Sequence, residues 1–271
     1  MIKIEHSVFA LPFALGGAFL AARGLPPWPA LFWLVTAMVG VRSFAMAFNR
    51  VADLRFDRLN PRTQKRPLVT GEITLGRAWA FIAGSAALFV VACAMLGSLC
   101  LALAPLALFM SAGYSLLKRF TRLCHFGLGC VHALAPLAGW ISVDPRFTLT
   151  PFLFALGVLF WLAGFDILYA CQDADFDRSI GLHSIPADLG IPRALVISSF
   201  CHVNTAIFFL IGGVTAGLSA GWHVVWALMT GILLWEHTLV KAEDLSRVNL
   251  AFFTLNGFVA LAFLPGVILG L

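Results

Sequence analysis

Four aspartates at matched spacing are the first residues of this 271-residue chain that could do chemistry. Asn49, Asp53 and Asp57 recur every four residues, and Asp173 and Asp177 repeat that spacing in Asp173-Ala174-Asp175-Phe176-Asp177. A spacing of four puts side chains on one face of a helix. Two like charges about 6 Å apart repel by roughly 3 kcal/mol at an effective dielectric near 20. Two such pairs facing one cavity therefore call for cations. Oxygen-only ligands suit a hard ion such as Mg²⁺, which binds through one or two carboxylates together with substrate phosphate oxygens. Either pair alone reads as a solvated helix end. Together they read as a metal–diphosphate site in which Asn49, Asp53, Asp57, Asp173 and Asp177 are the candidate ligands.

Basic residues supply what a diphosphate needs. Arg62, Lys65 and Arg66 follow the first acidic pair, and Lys118 stands four residues after Tyr114, which places phenol and ammonium on one helix face. Arg119 and Arg122 read as topology charges. Arg42 lies seven residues before Asn49, two turns and about 10.5 Å deeper on the same face. An arginine at mid-membrane costs about 2.5–3.5 kcal/mol and so faces a cavity or a partner. That partner is either a buried carboxylate or an anionic acceptor substrate gripped bidentately. Asp166, seven residues before Asp173, mirrors Arg42, and either pairs with it or orients the acceptor. Glu236 and His237 read as a satisfied polar patch. His125 and His132 are seven apart, but without a second histidine pair they do not make a haem site.

The elements that must carry these residues are membrane helices. The chain is 61% apolar and 11% charged, far from the balance of a soluble domain. A span needs about 20 apolar residues, and apolar runs fall at 7–22, 29–50, 75–97, 99–118, 123–142, 150–172, 192–216, 221–241 and 249–270. The expectation is an all-α integral membrane protein of about nine transmembrane helices. With the amino terminus cytoplasmic, fifteen Lys and Arg fall on that side; the other side receives only Arg23 and Arg146. That asymmetry favours a cytoplasmic amino terminus. It also accounts for the net charge of +5 without nucleic acid, since the basic residues sit in short loops. The two long polar loops, 51–74 and 173–191, both lie on the cytoplasmic side and both open with an acidic pair. The six cysteines form no CxxC pair and read as packing residues. Lys3 and Glu5 precede the first run, which lacks a small-residue cleavage site and reads as a retained helix.

These motifs resemble those of the UbiA-type intramembrane prenyltransferases. The NxxxDxxxD motif appears as Asn49, Asp53 and Asp57, followed by Arg62-Thr63 and Arg66-Pro67; YxxxK appears as Tyr114 and Lys118; the second DxxxD appears as Asp173 and Asp177. The resemblance covers residues 1 to about 270, a single domain, and implies nine helices around a central cavity open sideways to lipid. It also implies Mg²⁺, a polyprenyl diphosphate donor and an aromatic acceptor. Catalysis would fall to Asp53, Asp57, Asp173, Asp177, Lys118 and Tyr114, with Arg42, Asn49, Arg62, Arg66 and Asp166 binding substrate. GVRSFAMAFNR and FDILYACQD are similar to the 4-hydroxybenzoate polyprenyltransferase branch, in which Arg42 matches the arginine near the acceptor carboxylate. Gly181-Leu182-His183-Ser184 stands where that branch commonly has Gly-Ile-Lys-Ser, and Asn60-Pro61-Arg62-Thr63 with Leu182-His183-Ser184-Ile185-Pro186 also resembles relatives of the futalosine route. The acceptor stays open between 4-hydroxybenzoate and 1,4-dihydroxy-6-naphthoate, both aromatic carboxylates serving ubiquinone or menaquinone synthesis. The resemblance further implies a multi-pass protein of the inner membrane with its active site toward the cytoplasm.

Two rival readings are weaker. A secondary transporter would carry its charges at the midplane, whereas these acidic clusters stand at helix ends. A CDP-alcohol phosphatidyltransferase would carry DGxxAR ahead of its DxxxD, and the chain has none.

Overall fold

Proline and glycine set the helix boundaries. In the computed structural model, which describes residues 9–271, α1 (Leu11–Ala22) has Pro12 in its first turn and stops where Arg23 turns left-handed at φ 52°. α2 (Trp28–Ala52) starts behind Pro27 and ends at Asp53, whose φ of −91° and ψ of 4° break the helix. The short α3 (Leu54–Asp57) and α4 (Pro67–Thr70) follow, then α5 (Leu75–Leu96), capped by Thr74 Oγ1 accepting from the Arg77 N–H. Gly97, at φ 131°, lets the chain reverse at once into α6 (Ser98–Leu117). α7 (Cys124–Ile141) and α8 (Leu149–Ala170) come next. A 3-10 turn at Cys171–Asp173 leads to α9 (Ala174–Ser179) and α10 (Ile185–Leu189), the latter capped by Ser184. α11 (Ile191–Thr215), α12 (Ala220–Leu239), a π-helical stretch at Leu250–Leu255 and α13 (Asn256–Gly270) complete the described chain. Among the described residues there is no strand, only an isolated bridge between Lys241 and Asp244.

Seven helical segments are long and apolar enough to cross a membrane, where about nine were expected. The described part of the first expected span is α1, only 12 residues long; Lys3 and Glu5 lie outside the described residues. The eighth run does form α12, at 20 residues, but Trp222, His223, Trp226, Trp235, Glu236 and His237 lower its hydropathy. The expected long loops are not structureless, since 51–74 contains α3 and α4, and 173–191 contains α9 and α10. Large apolar side chains such as Trp28, Phe109, Val196 and Phe200 are more than 60% exposed. So much exposed apolar surface is ruinous in water and ordinary against lipid.

α8 lies at the centre, buried on nearly all faces and packed between α7 and α11. Its Phe154 and Trp161 join Phe13, Phe209, Trp222 and Phe263 in an aromatic core, with Phe13 to Phe263 ring centroids 4.7 Å apart and Phe13 to Trp161 5.0 Å. α1 and α7 approach so closely that a Cβ at Gly139 would overlap the Ala14 carbonyl. Small residues give membrane helices this contact, because lipid offers them no hydrophobic drive to associate. The result is a rigid wall on one side of a cavity bounded by α2, α5, α6, α7 and α8.

Candidate active site

The cavity has a volume of about 600 Å³ and runs beside α6 from Cys100 to Lys118. Its charged end is built from the ends of α2, α6 and α8. Asp53 and Asp173 line it, as do Asn49, Arg62, Arg66 and Lys118. Asn49 Nδ2 donates to Asp53 Oδ2 at 3.0 Å, so the i, i+4 relation expected there is formed. Arg119 Nη2 stands 3.9 Å from Asp53 Oδ1 and donates to the Ala52 carbonyl at 2.7 Å, a more specific contact than a pure topology charge makes.

The second aspartate of each pair departs from expectation. Asp57 and Asp177 are buried, at 7% and 1% exposure, and do not line the cavity. Asp57 accepts from Arg66 Nη1 at 2.6 Å, and Asp177 from Lys118 Nζ at 2.7 Å and Ser184 Oγ at 3.2 Å. The physical reason is local. Asp53 and Asp173 both sit near ψ 0°, where the helix breaks, so the next turn swings away and spacing of four no longer preserves the face. The cations that hold Asp57 and Asp177 are themselves cavity residues. Arg62 completes the pattern by ion-pairing with Asp173, donating to the Tyr169 hydroxyl at 2.5 Å and lying 5.0 Å over its ring. Lys65 does not line the cavity.

Charge state follows from these neighbours. Burial, and then the Asp57 charge, push the Asp53 carboxyl up to about 6. Burial works to lower the Lys118 pKa, but Asp177 and Asp173 outweigh it, and the ammonium is held more firmly than usual.

Deeper in the cavity stands Arg42, and of the alternatives left open for it the structure does not form the pair with Asp166. Arg42 Nη1 instead bonds His132 Nε2 at 2.8 Å, and Asp166 Oδ2 bonds His125 Nδ1 at 2.7 Å. Among the described residues no carboxylate pairs with Arg42, and its buried Nε has no hydrogen-bond partner. Tyr114 lines the same space. The two histidines, seven apart on α7, thus both serve the cavity, one on each opposing helix. Their spacing was visible in the sequence, but nothing there named their partners.

Arg50 and Tyr169 also line the cavity and were not singled out by sequence. Tyr169 stands four residues before Asp173, as Asn49 does before Asp53, and that repeated offset was the available signal. Glu236 and His237 do form a polar patch, but not a fully satisfied one, since Glu236 Oε2 and the neighbouring His202 Nε2 are buried without a hydrogen-bond partner among the described residues. Glu236 accepts from Asn256 Nδ2 at 2.8 Å, Asn256 accepts from Trp161 Nε1 at 2.7 Å, and His237 meets His202 at 2.9 Å.

No group of three or more His, Cys, Asp or Glu stands ready to hold a metal among the described residues. The donor set nevertheless fits a hard divalent ion. It is all oxygen, and one or two carboxylates with phosphate oxygens suffice for Mg²⁺. Three of these aspartates are held by Arg62, Arg66 and Lys118.

Fold and site together define a multi-pass helical membrane protein with a charged cavity at one end of its bundle. The chain belongs to the UbiA prenyltransferase family, whose sequence profile matches residues 10–260. This chain is an aromatic prenyltransferase. A UbiA homologue from Aeropyrum pernix K1, solved in its apo form, is 37% identical, with a TM-score of 0.90 over 99% of this chain and 98% of that one. A homologue from Archaeoglobus fulgidus bound to GPP and Mg²⁺ is 22% identical over 97% of this chain and 95% of that one, and its TM-score of 0.73 shows the shared fold. The 4-hydroxybenzoate octaprenyltransferase of Burkholderia cenocepacia (strain HI2424) is 29% identical over 247 residues, 90% of this chain and 85% of the relative.

Proposed function

We propose that this protein transfers a polyprenyl group from polyprenyl diphosphate to a ring carbon of an aromatic carboxylate of the 4-hydroxybenzoate type, with Mg²⁺, in quinone biosynthesis. The observation that carries the reading is Arg42, a cavity cation beneath the paired aspartates with a buried, unpartnered Nε and, among the described residues, no carboxylate of its own. An anionic acceptor satisfies it; an isolated buried charge is otherwise expensive.

Asn49, Asp53, Asp57, Asp173 and Asp177 would hold the metal, which supplies Lewis-acid stabilisation of the departing diphosphate. Arg62, Arg66 and Lys118 exchange their aspartates for phosphate oxygens as the diphosphate enters, which frees those carboxylates. The same cations stabilise the leaving group as its C–O bond breaks. Tyr114 lies along the path between diphosphate and ring, where it shields the allylic cation. Arg42, steadied by His132, grips the acceptor carboxylate and presents the ring. The apolar cavity wall excludes water that would quench the cation. Residues 1–271 work as one domain in the inner membrane, with nine crossings and with amino terminus and active site facing the cytoplasm, as the distribution of Lys and Arg favours.

The second acceptor, 1,4-dihydroxy-6-naphthoate, is also a carboxylate, and Arg42 suits it equally. The departure at His183 does not discriminate, because that side chain pairs with Asp188 outside the cavity. Purified protein in lipid, supplied with geranyl diphosphate and either acceptor, tests the reading. EDTA-sensitive prenylation of one acceptor names it. Failure with both in folded protein, together with metal-independent counterflow of a solute in liposomes, would favour a transporter instead.

A further inference from the structure

Asp166 differs from the other carboxylates of the cavity. Asp173 is held by Arg62, and Asp53 takes a hydrogen bond from Asn49 and faces Arg119, whereas among the described residues Asp166 is held only by a histidine. His125 Nδ1 meets Asp166 Oδ2, and the Ile185 backbone N–H donates to His125 Nε2 at 3.3 Å, so the imidazole turns its Nδ1 proton to the carboxylate. The His125 side chain is 2% exposed and locked, while that of Asp166 is 26% exposed, on the cavity wall. Among the described residues no donor reaches Asp166 Oδ1.

Depth is the second observation. Arg42 lies eleven residues before Asp53 on α2, and Asp166 seven before Asp173 on α8; both helices run toward the charged end. Helical rise puts Arg42 about 16 Å and Asp166 about 10 Å below those aspartates, an interval of about 6 Å. A benzene ring carrying a carboxylate at one end and a hydroxyl at the other spans that interval. Besides Arg42 and Lys118, the polar side chains that line the cavity with Asp166 include Asn49, Ser111, Tyr114, Ser115, His132 and Tyr169, none of them a carboxylate. Arg42 and Lys118 are donors, His132 Nε2 is taken by Arg42, and the Tyr169 hydroxyl is taken by Arg62.

We propose that Asp166, positioned by His125, is the base that takes the acceptor's hydroxyl proton, so that the ring attacks as a phenolate. The inference rests on the prenyl-transfer reading above. The phenolic O–H breaks and its proton passes to Asp166 Oδ1. The oxygen's electron pair conjugates into the ring, whose carbon beside the oxygen bonds to the prenyl carbon as that carbon's C–O bond breaks and its pair leaves with the diphosphate. The ring proton at the new bond then departs to the diphosphate, which restores aromaticity, and Asp166 returns its proton to the phenolate oxygen. Product, diphosphate and an ionised Asp166 remain.

The test compares acceptors of different acidity. Asp166→Asn keeps an oxygen for His125 but cannot take a proton. Its kcat with geranyl diphosphate, Mg²⁺ and 4-hydroxybenzoate is expected to fall about 100-fold or more, with binding of geranyl diphosphate and Mg²⁺ unchanged. With 3-fluoro-4-hydroxybenzoate, assayed where that acceptor is mostly phenolate and has one free carbon beside the oxygen, the deficit is expected to shrink to within about 10-fold of wild type. His125→Gln should show a smaller loss relieved by the same acceptor. Equal loss with both acceptors means a structural role and overturns the proposal, as does a wild-type rate for Asp166→Asn with 4-hydroxybenzoate. If the wild-type protein prenylates neither acceptor, the reaction itself is misassigned and the base falls with it.

Discussion

Lys118 Nζ stands 2.7 Å from Asp177 Oδ2, and this pair joins the end of α6 to α9 just as Arg66 joins Asp57 to the chain after α3. The backbone reinforces it, since the His183 N–H donates to the Lys118 carbonyl at 2.7 Å. In each half of the molecule the aspartate is buried and the cation faces the cavity. On the proposed reading, metal and diphosphate would therefore not be independent guests: the anion would need the cations that the aspartates hold, and the metal would need the aspartates.

Mg²⁺ and geranyl diphosphate are accordingly expected to bind cooperatively, each tightening the other by about 5- to 150-fold. Calorimetric titration of one in the absence and presence of the other measures this, and equal affinities would refute the exchange. Asp173→Asn should lose the coupling and turnover together while the protein still folds.

Arg42→Ala should raise the acceptor KM by about 10- to 100-fold, the value of a charge-assisted pair of hydrogen bonds, with kcat changed much less. His132→Ala should raise it less, because Arg42 keeps its charge and loses only its support. Steady-state kinetics in acceptor concentration decide the matter; an unchanged KM in Arg42→Ala would end the carboxylate grip.

The Asp53 carboxyl, raised to about 6 by burial and Asp57, makes stability depend on pH when no divalent ion is present. A free aspartate titrates near 3.9, so the folded protein holds a proton there that the unfolded chain has lost. The stability Asp53 contributes is complete below about pH 4 and is lost as pH rises through about 6. In EDTA, Asp53→Asn should therefore gain Tm relative to wild type at pH 7.5 and gain little at pH 4. The same Tm difference at both values would show that Asp53 does not titrate in this window.

Asn256 joins Trp161 on α8 to Glu236 on α12 through bonds of 2.7 and 2.8 Å, and all three are fully buried. Asn256→Leu would leave the indole N–H and the carboxyl without these partners, at about 1–3 kcal/mol for each. A lower Tm in detergent with unchanged acceptor KM is expected, since none of the three lines the cavity. A raised KM at unchanged Tm would instead tie the cluster to catalysis.

The membrane class, and which of the candidate residues gather at one cavity, were largely legible because both depend on local pattern. Apolar runs of span length and aspartates four apart act through a helix's own geometry, and Asn49 with Asp53 behaves as that geometry requires. The pattern failed where the helix stopped: breaks at Asp53 and Asp173 turned Asp57 and Asp177 away from the cavity. No spacing rule anticipates those breaks, since backbone angles there answer to packing from other helices.

By itself the sequence determined that the chain lives in lipid, where its charged residues gather, and which side chains could bind metal, diphosphate and carboxylate. Only the tertiary structure decided the pairings across helices, giving Arg42 to His132, Asp166 to His125, Asp57 to Arg66 and Asp177 to Lys118. The reason is physical. Periodicity places a residue on a face of its own helix, whereas a partner on another helix is chosen by how the helices pack, and in lipid that packing rests on close contacts such as Gly139 against Ala14.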